Sequence, residues 1–295
     1  MRIPKTDRPL LVVSDLHGSA KDFEKVCELH HRLKQEYPDL LLLFLGDLIH
    51  AYEGESEDSI YLLRSVRHMM EQGEALLLMG NHELSHVMHW NLKKGGYSFT
   101  ARLELALGDE AGDFRQWFSG LPIALIRENI LFIHSGASAS FAGKPDPRTN
   151  LFLKLRGGRN FLESLEFSKE FRGWEECLKE FSSEMGVKWG ETPAGRLLWE
   201  LFMSKNEHTW PGSYDQIARE FLKRNFPETE FMVSGHIEEE AGFSWPAENH
   251  LRLCSSWGCS QKALKKVLLV AETVQDRSDL EQSLKPLYFD VACSS

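Results

Sequence analysis

Five short apolar runs in this chain each stop at a loop that carries Asp, Asn or His, and no other feature narrows the choice of fold as far. Leu10-Leu11-Val12-Val13 leads into Ser14-Asp15-Leu16-His17-Gly18, and Leu40 to Leu45 leads into Gly46-Asp47-Leu48-Ile49-His50. Ala75 to Met79 leads into Gly80-Asn81-His82-Glu83, Ile130 to Ile133 into His134-Ser135-Gly136, and Phe231 to Ser234 into Gly235-His236. Short continuous apolar runs read as strands buried on both faces. Amphipathic stretches separate the first three: Phe23, Val26, Leu29 and Leu33 within Ser19 to Glu36, then Ile60, Leu63, Val66 and Met70 within Ser59 to Glu71. Strand alternating with helix predicts an α/β fold with parallel neighbours. Ligands bind such sheets at the carboxyl ends of strands, so loops distant in sequence converge there.

The later chain reads differently. Ile123 to Ile126 and Ile130 to Ile133 flank Arg127-Glu128-Asn129 as a hairpin. Residues 141–226 read as a helical insertion, with helix-like segments at Phe161 to Ser183, Ala194 to Met203 and Tyr214 to Asn225. Short strands return at Phe231 to Ser234, Leu251 to Leu253 and Lys266 to Val270. The expected organisation is one domain over residues 8–275, with the insertion inside it and a C-terminal tail over 276–295.

Charge excludes some partners. Lys and Arg total 34 against 44 Asp and Glu, a formal charge of −10. That surplus repels phosphate backbones and anionic membranes, so neither nucleic acid nor a membrane is expected as a partner. The longest apolar run, Leu40 to Leu45, is far short of the ~20 residues of a membrane span. Met1 to Arg8 lacks the apolar core of a signal peptide. Five scattered cysteines argue against a disulfide framework and for a cytoplasmic location, with Cys254 and Cys259 as small core residues.

The strand-end loops hold the chemistry. Asp-x-His has a chance expectation of ~0.5 in a chain of this composition, but Gly-Asn-His-Glu has ~0.003. The weight lies in five such elements, each directly after a strand. Asp15, His17 and Asp47 offer oxygen and imidazole ligands to one divalent ion. Asp47 can bridge to a second, which Asn81, His134 and His236 complete. Mixed N/O ligation suits Mn, Fe, Zn or Co rather than Ca, with Mn the expected ion in vitro. Two such ions ~3.5–4 Å apart clamp a phosphoryl group and acidify a bridging water, whose hydroxide attacks phosphorus in line. His82 is placed to protonate the leaving oxygen as general acid.

These motifs resemble those of the calcineurin-like metallophosphoesterases, and within them most the PPP family of phosphoprotein phosphatases. That family carries Asp-x-His, Gly-Asp, Gly-Asn-His-Glu, a His-Gly-Gly-like segment and a last His in this order. The resemblance covers about residues 10–271. It implies two mixed β-sheets packed as a sandwich flanked by helices, with a dinuclear centre at one end. It assigns Asp15, His17, Asp47, Asn81, His134 and His236 as ligands and His82 as the acid. The expected activity is that of a phosphomonoesterase of the Ser/Thr protein phosphatase type, acting on a phosphorylated protein or small molecule. A nucleotide or dinucleoside polyphosphate hydrolase or a phosphodiesterase on the same metal site is the alternative.

The chain departs from the pattern at several positions. The family's second motif is Gly-Asp-x-x-Asp-Arg-Gly, and here His50 stands for the Asp that orients the catalytic His, while Ala51 stands for a phosphate-gripping Arg. A second such Arg is absent from Lys205 to Ser213, which leaves Arg148, Arg156 and Arg159 as substitutes. Glu238 stands where many phosphodiesterases carry the second His of Gly-His-x-His, which favours monoesters.

Two rival readings come from other classes. His82-Glu83-Leu84-Ser85-His86 matches the His-Glu-x-x-His pattern of zinc metalloproteases, with Glu104 downstream as a third ligand. It would place His82 at a helix start and leaves the other four motifs unexplained, so His86 and His89 read as polar residues near the mouth of the metal site. A non-catalytic binding domain would lack ligands, and all six are present.

Overall fold

The computed structural model describes residues 3–51, 58–94, 97–142, 203 and 205–289. The first stretch alternates as its apolar spacing predicts. Strand β1 (Leu10–Val13), helix α1 (Ala20–Leu33), β2 (Leu41–Phe44), α2 (Ser59–Glu71), β3 (Ala75–Leu77) and α3 (Asn81–Val87) follow one another. β1 pairs with β2 and β2 with β3, both in parallel. Ser19 starts α1 by accepting the Asp22 N–H, a donor the first turn would otherwise leave unpaired. A short ribbon of β4 (Lys93–Lys94) and β5 (Tyr97–Ser98) precedes α4 (Phe99–Leu107) and α5 (Ala111–Ser119). Then β6 (Ala124–Arg127) and β7 (Ile130–Ile133) form the antiparallel hairpin read from the sequence.

Of the expected insertion, residues 143–202 lie outside the described residues, as do Arg148, Arg156 and Arg159. Its described parts include α6 (Ala139–Ala142), α7 (Asn206–Thr209) and α8 (Tyr214–Asn225). β8 (Phe231–Ser234), β9 (Phe243–Ala247), β10 (His250–Leu253) and β11 (Lys266–Val270) complete the strand series before α9 (Arg277–Gln282) and β12 (Leu284–Pro286). Residues 277–286 are thus built into the fold, with β12 paired to β11, rather than trailing as a tail.

Two mixed five-stranded sheets result, in the orders β12-β11-β1-β2-β3 and β6-β7-β8-β10-β9. Side chains alternate along a strand, which divides the core in two. Leu10, Val12, Leu41 and Leu43 meet Leu125, Phe132, Val233 and Leu251 between the sheets. Leu11, Val13, Leu42 and Phe44 face the other way and pack with Phe23, Val26, Leu62 and Val66 of α1 and α2. Both faces of β1 and β2 are therefore dry, which is why their sequences are apolar without alternation. β1, β2 and β3 run side by side in parallel, as do β7 and β8, so their five motif-bearing loops open at one end of the sandwich.

Candidate metal centre

The backbone turns sharply as it leaves β1, β2 and β8. Asp15, His17, Asp47, His50 and His236 have φ of 44°, 45°, 52°, 72° and 73°, a left-handed conformation that costs non-glycine residues of order 1–3 kcal/mol each. Gly46, at φ 103°, permits a close approach of two backbones. A Cβ there would lie 2.6 Å from the Gly80 nitrogen and 2.7 Å from its Cα, so the loops after β2 and β3 pack backbone to backbone. The Glu83 carboxylate, fully buried, joins them by accepting the N–H groups of Asp47 (2.9 Å), Leu48 (2.9 Å) and Gly80 (3.0 Å). This organising role escaped the sequence reading. Its one signal was the presence of Glu in Gly-Asn-His-Glu.

Asp47 lies at the centre of the site. Its Oδ2 is 3.8 Å from His17 Nε2, 3.8 Å from His82 Nε2 and 3.5 Å from His134 Nε2, while Oδ1 accepts the His82 backbone N–H at 3.0 Å. Two compact groups of ligand-type atoms share this carboxylate: His17, Asp47 and His82, and Asp47, His134 and His236. Asn81 Oδ1 joins the second, 2.9 Å from His134 Nε2. Asp15 is placed differently. Both of its oxygens lie 3.0 Å from the His236 backbone nitrogen, so its carboxylate anchors the loop after β8 while acting electrostatically on Asp47 and His134. His82, expected beside the ions rather than on them, presents Nε2 in the group where Asp15 was expected.

Backbone carbonyls orient the His17 and His134 rings. The Ile49 carbonyl accepts from His17 Nδ1–H at 3.2 Å, and the Leu45 carbonyl accepts from His134 Nδ1–H at 2.9 Å. Each ring then turns Nε2 toward Asp47, the arrangement that outer partners impose on metal-binding histidines.

The charges call for a cation. Burial, with Asp47 adding to it, pushes Asp15 up to about 7 against the pull of His134. Burial and Asp47 likewise push Glu83 up to about 7. Burial opposes the charge on Asp47, but His134, His82 and His17 hold its carboxyl well below the ordinary range. Burial also opposes the charge on His134, yet Asp47, Asp15 and Glu83 outweigh it and raise the ring to about 9. His236 is held well below its usual value by burial and by His134. Both of its ring nitrogens are buried without a hydrogen-bond partner among the described residues. A buried unpaired polar atom costs roughly 1–3 kcal/mol, and a coordinated ion removes that cost. The residues present therefore fit divalent ions, and their N/O donor set suits Mn, Fe, Zn or Co.

His82 meets the partner that the sequence reading considered for it: its Nδ1 is 3.0 Å from His50 Nδ1. Burial, with His17, His134 and His86 adding to it, lowers His82 to about 3 against the pull of Asp47. The His-Glu-x-x-His pattern forms no zinc-protease site. His50 Nε2 lies 2.8 Å from His86 Nε2, which inserts the His50 ring between His82 and His86. Glu83, the base such a site requires, is committed to three backbone N–H groups. His86 is 1% exposed and sits behind the site rather than at its mouth.

A cavity of about 460 Å³ opens over the centre, lined by His17, Asp47, Asn81, His82 and His236 at its floor and by Lys93, Lys205 and His208 among its walls. Ala51 is buried and makes no part of it. Glu238 also lines the cavity, its Oε1 accepting from Trp257 Nε1 at 2.9 Å.

The model of the calcineurin-like phosphoesterase family matches residues 8–239 of the chain. A symmetrical bis(5'-nucleosyl)-tetraphosphatase of Janthinobacterium sp. (strain Marseille) is 27% identical over 125 residues, 42% of this chain, and the chain spans 42% of that relative's length. A protein serine/threonine phosphatase of Saccharomyces cerevisiae superposes with a TM-score of 0.50 at 16% identity, over 96% of this chain and 81% of its own. A cold-active protein-tyrosine phosphatase of a psychrophilic Shewanella superposes with a TM-score of 0.54 at 14% identity, over 92% of this chain and 78% of its own. At these identities the solved structures establish a shared fold.

Proposed function

Since the chain belongs to the calcineurin-like phosphoesterase family, we propose that it is a phosphoester hydrolase, a dinuclear phosphomonoesterase of the Ser/Thr protein phosphatase type. The observation that carries this reading is the pair of ligand groups sharing Asp47. His17, Asp47, Asn81, His134 and His236 would hold two divalent ions, with Asp15 completing the first. Such ions, when bound, acidify a water and draw charge from the phosphoryl oxygens.

The chain's own residues do the rest. Lys93, Lys205 and His208 on the cavity wall take the place of the missing arginines in gripping phosphate oxygens. His82 acts as general acid toward the leaving oxygen. Its ring is neutral at neutral pH, so the proton it hands over is one collected at Nε2 from the reacting groups. Glu238 bonds to Trp257, which supports a monoester rather than a diester site. The cysteine usage supports a cytoplasmic setting.

The test is kcat/KM for aryl monoester and diester reporters at equal Mn loading, beside phosphopeptides and dinucleoside polyphosphates. The reading expects the monoester to exceed the diester, and a clear diester preference reverses it. The match to a tetraphosphatase over 125 residues favours a second reading, a dinucleoside polyphosphate substrate. Turnover of that substrate above every phosphopeptide would establish it.

A further inference from the structure

His50 is the second of three imidazoles in a buried line. His82 Nδ1 is 3.0 Å from His50 Nδ1, His50 Nε2 is 2.8 Å from His86 Nε2, and His86 Nδ1 is 3.2 Å from Glu104 Oε1. The other Glu104 oxygen is 3.1 Å from Arg115 Nη1. The line crosses three helices, with His82 and His86 on α3, Glu104 on α4 and Arg115 on α5. All three histidines are buried, and the Phe99 ring stacks on His50 at 5.6 Å.

We propose that Glu104 sets the tautomer of His82 through His86 and His50, as a positioning residue for the proton transfer assigned to His82 above, on which its catalytic use rests.

The direction of the line follows from its end. Half-burial works against the charge on Glu104, but the His86 hydrogen bond and Arg115 keep its carboxyl below the ordinary range. An ionised carboxylate only accepts. Burial lowers His86, and burial with the neighbouring rings holds His50 well below its usual value, so each ring is neutral with one donor and one acceptor. His86 therefore donates from Nδ1 and accepts at Nε2. His50 donates from Nε2 and accepts at Nδ1. His82 then donates from Nδ1 and keeps Nε2 unprotonated on the side of Asp47. The opposite order would set a ring lone pair against the carboxylate, with no donor between them. When His82 takes a proton at Nε2, the resulting cation donates into a line that ends on a negative charge, which strengthens every bond along it. The family pattern puts an Asp at position 50 to do this in one step. Here the carboxylate stands two rings further back, on α4 and outside the five strand-end motifs.

The test reads ring nitrogens directly, in long-range proton–nitrogen spectra of the 15N-labelled protein at neutral pH. The expected protonated atoms are His82 Nδ1, His50 Nε2 and His86 Nδ1. Glu104→Ala should bring the two nitrogens of His86 and of His50 toward averaged shifts. Glu104→Gln, the closer fit in shape, should invert the order, because Arg115 takes the amide oxygen and the amide N–H then donates to His86. The reverse order in the wild type, or an unchanged order in both variants, overturns the proposal.

Turnover supplies the second readout. On a substrate with a poor leaving group, Glu104→Ala should lower kcat about tenfold, part of the ~10²–10⁴-fold that a general acid contributes, with KM unchanged. In a His50→Asp background the same change should cost less than about twofold, since a carboxylate now touches His82 without the relay. A full tenfold loss there also overturns the proposal. Failure of the general-acid reading is separately visible: His82→Ala would then retain the rate on poor leaving groups, while the ring spectra still decide the relay.

Discussion

Divalent-ion affinity should tighten ~tenfold for each pH unit between 7 and about 9, then level off, and His134 is the reason. Its ring titrates at about 9 rather than 6.5, because Asp47, Asp15 and Glu83 outweigh the burial that opposes its charge. A shift of this size corresponds to roughly 3 kcal/mol of interaction between the proton and its surroundings. An ion that takes His134 Nε2 must displace that proton. Between pH 7 and about 9 the ring is protonated in the ion-free protein and unprotonated in the complex, so one proton leaves on binding. At pH 7 this competition weakens affinity by about 10². The sign for stability follows. A raised folded pKa stabilises the ion-free fold fully below 6.5, and that contribution is lost as pH rises through about 9. Stabilisation by Mn should therefore grow across the same window. Asp15 and Glu83, both at about 7, steepen the dependence below neutrality. Competition with a chelator gives the affinities, and calorimetry in buffers of different ionisation enthalpy counts the protons. His134→Asn should bind more weakly and flatten the slope above pH 7. Affinity independent of pH from 7 to 9 with no proton released would refute the reasoning.

Other consequences are equally direct. His82→Ala should lose ~10²–10⁴-fold in kcat while keeping both ions, and little of that on a leaving group that needs no proton; loss of an ion would make His82 a ligand. Lys205→Ala should raise KM about tenfold with kcat nearly unchanged, as expected for one charge-assisted bond to phosphate, and an unchanged KM would remove Lys205 from substrate binding. Gly46→Ala forces a Cβ to within 2.6 Å of backbone, so urea unfolding should register a loss of about 3 kcal/mol, and a loss below ~1 kcal/mol would contradict the close packing of the two loops.

What could be read from the sequence follows from which signals are local. Leu10 to Val13 and Leu41 to Phe44 are dry on both faces, so their runs announced strands, and the motifs at their ends announced the site. β9 gave no such signal. Phe243–Ala247 contains Pro246 and sits at a sheet edge, where a missing N–H is tolerated. Long-range pairing hid the rest. Glu104 meets His86 from 18 residues away, and His50 meets His86 from 36. Nothing in the spacing of His86 distinguished a buried relay from a polar residue at the cavity mouth. Asp15 was legible as a site residue, but its hydrogen bonding to the His236 backbone depends on β1 and β8 arriving from different sheets.

The account stands on Asp47 as the carboxylate shared by both ligand groups, and metal content tests it most directly. Wild-type protein loaded with Mn and freed of excess should hold two ions per chain. Asp47→Asn, shown to be folded by circular dichroism, should hold neither at full occupancy. Two ions retained at full occupancy in that variant would contradict the shared centre.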